Sequence, residues 1–121
     1  VAAAVFWPAL AVWTWKLLEP YPVPEAVKGY LGLWQFFAAK TLHFVGYAGL
    51  TALAWLQATT FRGRLIAVGG MVAHGALSEL LQYLLPFNRF GAWRDVGLDA
   101  GGAVTGAVVA WLAWRVWSLT R

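Results

Sequence analysis

The chain has 121 residues, of which 61% are hydrophobic, 17% aromatic and only 12% charged. An ordinary soluble domain carries about 25% charged residues, and nine basic plus five acidic side chains cannot cover the surface of one this small. The same numbers exclude disorder, and the net charge of +4 lacks the basic run or stripe that follows a nucleic-acid backbone.

With a mean hydropathy of +0.64, the expected class is an all-α polytopic membrane protein forming a single unit over residues 1–121. The first apolar stretch, 1–18, contains Pro8 and meets its first charge at Lys16. It is a little short, and the chain does not begin with Met, so the N-terminus is expected to be trimmed or processed. A cleaved signal peptide fits poorly, because no basic n-region or small-x-small site precedes Lys16. Residues 19–37 follow: a proline-rich extended piece, EPYPVPE, then AVKGYLGLWQFF, which suits a short interfacial or re-entrant helix. The second stretch, 38–58, is apolar apart from Lys40, His43 and a few neutral polar groups. A tight basic turn, TTFRGR, leads to the third, 65–85, which carries His74, Glu79 and Gln82. The linker PFNRFGAWRD precedes the fourth, 96–119, with Asp99 near its start and Arg115 near its end. Three of the four approach or exceed the roughly 20 residues that cross a bilayer as a helix. The runs are continuous, without the period of two that marks strands. Four transmembrane helices in a small bundle are therefore expected. No cysteine is present, so disulfides and thiolate chemistry are excluded.

Four spans put both termini on the side of the 59–64 turn, with Arg62, Arg64, Arg115 and Arg121 and no acid. The other side holds Lys16, Lys28, Lys40, Arg89 and Arg94 against Glu19, Glu25, Glu79, Asp95 and Asp99. If part of that second basic set is held in a polar site, the charge bias places both termini in the cytoplasm. Trp13, Trp15, Trp34 and Trp93 then fall at one interface and Trp55, Trp111, Trp114 and Trp117 at the other, as an aromatic belt does.

The informative residues are those that a membrane disfavours. Lys40 and His43 stand at i, i+3, with Tyr47 continuing their face; Glu79 and Gln82 stand at i, i+3; Asp95 and Asp99 stand at i, i+4. Glu79 lies seven residues before Pro86, roughly 10 Å along a helix. With Arg89 and Arg94, all of these map to one side of the membrane. They are expected to face one another or a wet cavity. His43 and Glu79 are a candidate proton-transfer pair, and Lys40, Gln82, Arg89, Arg94, Asp95 and Asp99 are candidate binding groups. The same charges can equally form a structural network that fixes helix register and caps the fourth span. Gly102 and Gly106 read as a close packing face. His74, between small residues in the third span, reads as bonded to a neighbouring helix or, alternatively, as an axial ligand to a haem or pigment. The sequence shows no nucleophile elbow, phosphate-binding glycine loop or metal-ligand triad.

Lys40-x-x-His43, Glu79-x-x-Gln82, Pro86, Arg89, Asp95-x-x-x-Asp99 and Gly102-x-x-x-Gly106 together resemble the VanZ-like family, small and mostly four-span bacterial membrane proteins named for a teicoplanin-resistance protein. The resemblance covers over half the chain, and order and spacing carry it. Ala39 stands where that family often has Asp, Asp99 where Asn is common, and the Gln82-to-Arg89 step is one residue longer. The resemblance implies a bacterial inner-membrane protein of the cell envelope, tied by name to antibiotic resistance. Together with the charged cluster it leads to an outer-face site that binds or processes an anionic ligand. Lipid-linked cell-wall precursors, phospholipid headgroups and acylated glycopeptides are the expected classes. The alternative is a non-catalytic transmembrane subunit of a larger complex, with a pigment or cofactor in association. Membrane lipids and membrane proteins are the expected partners. Whether the chain is an enzyme, and with what cofactor, the sequence leaves open.

Overall fold

A computed structural model describes residues 1–19, 25–85 and 93–121, with the side chains of 25–33, 35 and 36 left out of the description. The described residues form an all-α bundle of four helices: α1 (Ala2–Leu18), α2 (Glu25–Gln57), α3 (Phe61–Leu84) and α4 (Trp93–Leu119).

Local chemistry sets their limits. α1 runs through Pro8, which forfeits one backbone hydrogen bond without ending the helix. Its C-cap, Glu19, is extended at φ −62°, ψ 130°, and the C-cap of α3, Leu85, is extended at φ −83°, ψ 140°. Each precedes a proline in the sequence, and proline drives the residue before it out of the helical region. α3 starts at Thr60, whose hydroxyl accepts from the Gly63 N–H at 3.0 Å and so satisfies one of the exposed donors of the first turn.

The segment expected as a separate interfacial helix is instead the N-terminal part of α2. That helix is continuous over 33 residues, roughly 50 Å at helical rise. The reason is in the sequence: beyond Pro24 no proline occurs before Gln57, and Gly29 and Gly32 only weaken a helix without breaking it.

α2 and α4 meet along glycine. A Cβ added at Gly102 would strike the Phe44 carbonyl and one at Gly106 the Ala48 carbonyl, so backbone lies against backbone. Around this joint Phe6, Leu17, Tyr47, Leu50, Ala54, Met71 and Ala103 form the buried core. Outside it, large apolar side chains such as Val12, Leu65, Ile66, Val104 and Val109 are exposed. By length and composition α3 and α4 are each long and apolar enough to cross a membrane, and only 28% of the most apolar stretch of each is covered by the bundle. α1 is a shorter apolar helix. The polar residues gather toward the end where α1 and α3 finish and α4 begins. The Ala58–Thr60 turn lies at the other.

Candidate functional site: a buried His–Glu–Asp cluster

Three helices deliver the site. Lys40, His43 and Tyr47 lie on one face of α2, the spacing i, i+3, i+7 keeping them within one stripe of a 3.6-residue turn. α3 presents Gly75, Glu79 and Gln82 by the same rule, and α4 presents Asp99 one turn before Gly102. Asp99 is 1% exposed, Glu79 4% and Gln82 5%. Burial of two carboxylates at that depth demands compensation, since an isolated buried charge is among the most expensive groups a fold can hold.

His43 Nδ1 lies 2.9 Å from Asp99 Oδ1 and donates to it. One ligand atom each from His43, Glu79 and Asp99 lie within 4.8 Å of one another, so these three side chains can hold a metal ion between them. Asp99 is seated on Gly75: a Cβ there would sit 2.9 Å from Asp99 Cβ and 3.2 Å from Oδ2. That Oδ2 is buried and has no hydrogen-bond partner among the described residues. Beside the cluster, Lys40 of α2 is ion-paired with Asp95 in the first turn of α4. Gln82 reaches across to α1, donating from Nε2 to the Leu17 carbonyl at 2.7 Å and satisfying an acceptor that the helix end leaves open.

A second polar chain adjoins the first. Tyr47, fully buried, places its hydroxyl 2.9 Å from His74 Nδ1, and Thr14 of α1 places Oγ1 2.9 Å from His74 Nε2. The single hydroxyl hydrogen of Thr14 is donated to the Leu10 carbonyl at 2.8 Å. The His74 Nε2–H therefore donates to Thr14, and in the neutral ring Nδ1 accepts from the Tyr47 hydroxyl. Both ring nitrogens are thus engaged inside the bundle. His74 also borders an apolar groove of about 440 Å³ that runs between α1 and α3 past Leu10, Ala67 and Met71. Trp13 closes the α1 side, edge-on to His43 (6.0 Å between centroids) and to Tyr47 (5.9 Å). Its indole is admitted by Gly46, where a Cβ would come within 2.6 Å of the ring.

Of the residues singled out from sequence, the structure brings His43, Glu79 and Asp99 together, with Lys40–Asp95 and Gln82 at their margin. Arg94 is exposed in the first turn of α4, and Arg89 lies outside the described residues. Sequence reading missed Trp13, Thr14, Gly46, Gly75 and Ser78. A lone threonine in an apolar helix is a weak signal, and a glycine that makes room for an aspartate on another helix gives none. Ser78 returns its hydroxyl to the His74 carbonyl, 2.8 Å away in the preceding turn, and its oxygen also neighbours the Tyr47 hydroxyl.

Comparison of the chain with family models, with curated proteins and with solved structures returns no match.

Proposed function

We propose that this is a VanZ-like integral membrane protein with four spanning helices, whose buried polar cluster binds an anionic group of an envelope-associated ligand. The observation that carries this reading is the convergence of His43, Glu79 and Asp99 from three helices at one end of an otherwise apolar bundle, beside the Lys40–Asp95 pair. Ionisable side chains are costly in hydrocarbon and are retained where they bind, conduct or react. The order and spacing of Lys40-x-x-His43, Glu79-x-x-Gln82 and Asp95-x-x-x-Asp99 favour the family resemblance. In this reading the cluster faces the outer leaflet of a bacterial inner membrane, and both termini lie in the cytoplasm with Arg62, Arg64, Arg115 and Arg121. Lys40, with Arg89 and Arg94 from the adjoining segment, attracts a phosphate or carboxylate. His43 and Glu79 exchange a proton with whatever the ligand presents. Lipid-linked wall precursors, phospholipid headgroups and acylated glycopeptides share the required chemistry, an anionic head on an apolar tail.

The test is complementation in cells lacking the protein, reading sensitivity to a lipid-bearing glycopeptide. Glu79→Gln and His43→Ala are expected to lose function while remaining folded in detergent. Full function in both variants defeats the proposal and leaves the cluster as a register-fixing network. A second reading, a non-catalytic subunit of a larger membrane assembly, is favoured by the C-terminal third of α4. Every residue from Trp111 to Leu119 there is exposed, and so are Trp7, Trp15, Trp34 and Trp93. Co-purification of a defined membrane protein in mild detergent, abolished by Trp111→Ala with Leu112→Ala, supports that reading.

A further inference from the structure

We infer that His43, Glu79 and Asp99 form a binding site for a divalent first-row metal ion of the zinc or manganese kind. The inference deepens the proposed function, resting on the same cluster and naming what occupies it.

The donor set comes first. One imidazole nitrogen and two carboxylate oxygens suit borderline and moderately hard divalent ions, and three protein donors leave a coordination position for water or a ligand oxygen. The donors are already gathered, within 4.8 Å of one another, by helices whose spacing the Gly102 and Gly106 joint fixes. A site so held needs only small side-chain shifts to close on an ion.

Charge is the second argument. Asp99 and Glu79 are both almost wholly buried, in a bundle whose outer surface is apolar. His43 is the one described side chain that bonds Asp99, through Oδ1 at 2.9 Å. The other oxygen, Oδ2, is buried and accepts from no described donor. A carboxylate oxygen left so is a deficit that a cation corrects directly, and a dication with two carboxylates makes a neutral unit. On binding, the metal takes the place of the hydrogen between His43 Nδ1 and Asp99, the ring passes to its other neutral tautomer with the proton on Nε2, and the Asp99 carboxylate, Oδ2 included, turns to the ion.

The surroundings fit a metal centre. Trp13 stands edge-on to the His43 ring and limits its rotation, Gly75 admits Asp99 close against α3, and Lys40 is ion-paired with Asp95 at the margin. The open coordination position then gives the site a way to hold a phosphate or carboxylate oxygen. This is the ligand chemistry proposed above.

The experiment uses the full chain, purified in detergent, stripped with chelator and loaded separately with Zn²⁺ and Mn²⁺. Metal retained after gel filtration is counted per chain, and Co²⁺ loading reads the coordination from its visible spectrum. One equivalent of either ion is expected, with affinity falling more than about 100-fold in His43→Gln, Glu79→Gln and Asp99→Asn and unchanged in Glu19→Gln. Circular dichroism checks that each variant is folded. Should Asp99→Asn fail to fold, the His43 and Glu79 variants decide alone. No retained ion, or equal retention in the folded variants, overturns the metal site. If no ion binds while Glu79→Gln and His43→Ala still lose function in cells, the metal falls and the ligand reading stands. If the ion binds and both variants keep full function, the metal stands and the ligand reading falls.

Discussion

The two ends of the bundle handle charge in opposite ways. At one end His43, Glu79 and Asp99 are drawn inside by three helices, with the His43–Asp99 hydrogen bond between two of them and the Lys40–Asp95 pair beside them. At the other, cations rest on aromatic faces, Arg115 and Arg121 at the surface and Arg64 half-buried with its Nε inside. The Arg64 guanidinium lies 3.9 Å from the centroid of Trp55 and 5.1 Å from that of Trp114, Arg115 lies 5.4 Å from Trp111, and Arg121 lies 4.2 Å from Trp117. Arginine over tryptophan keeps part of its hydration while covering apolar surface, which is how amphipathic side chains settle at a boundary between water and hydrocarbon. The contrast separates cations laid on aromatic faces from charges held inside by several helices. An anchor tolerates exchange among similar groups, because no one geometry is required of it. The buried cluster does not, because three helices fix where its imidazole and carboxylates stand.

Substitutions that break this contrast rank by how much structure depends on the altered atom. The largest effect is expected at the joint between the ends: Gly106→Val forces a side chain into the Ala48 carbonyl, and a loss of about 3 kcal/mol or more follows from overpacking that the backbone cannot relieve. Thermal unfolding in detergent reads it, and a melting point equal to wild type would show that α2 and α4 can separate freely. Next comes Gln82→Leu, which removes the cross-helix donor to the Leu17 carbonyl and leaves that acceptor bare in the interior. A loss of about 1–3 kcal/mol is expected, together with faster proteolysis at the α1 end. Tyr47→Phe takes one hydroxyl from His74 Nδ1. Such interhelical bonds are worth about 0.6–1.7 kcal/mol, and ¹⁵N-histidine spectra should show the His74 ring signals move while those of His43 change less. The smallest effect is expected at the anchor. Arg64→Lys trades a stacked guanidinium for an ammonium over Trp55, costing about 0.5–1 kcal/mol, and a larger loss would mean that this end, too, is a specified site.

Much of the fold is legible in the sequence because hydrophobic run length and proline are strong signals. The α1 and α3 boundaries follow from Pro20 and Pro86, and the α2–α3 turn from TTFRGR. The start of α2 is not, since a run such as AVKGYLGLWQFF is compatible both with a separate interfacial helix and with the N-terminal turns of a long one. Nothing between Pro24 and Gln57 forces a break, and the helix does not break. At the site, periodicity puts Lys40 with His43 and Glu79 with Gln82, because helical spacing is local. It is silent about which helix faces which. The trio His43, Glu79 and Asp99 is therefore not a sequence motif: its members sit far apart in the chain and meet only through the α2–α4 joint and the notch at Gly75. His74 is bonded to neighbouring helices as its place between small residues suggests, but its partners Thr14 and Tyr47 come from two other helices and spacing does not name them.

The glycine joint has a mechanical consequence. With Gly102 and Gly106 set against the Phe44 and Ala48 carbonyls, α4 cannot slide by a turn along α2 without driving a larger residue into the backbone of its neighbour. Those two helices act as a fixed jaw, and the depth of Asp99 beside His43 is set like a mark on a ruler. Relative movement within the bundle then falls to the helices outside that joint, α1 and α3. α1 is stitched to α3 by the Thr14–His74 and Gln82–Leu17 hydrogen bonds and wedged against α2 by Trp13 at Gly46, so these contacts set how far it can part from the rest.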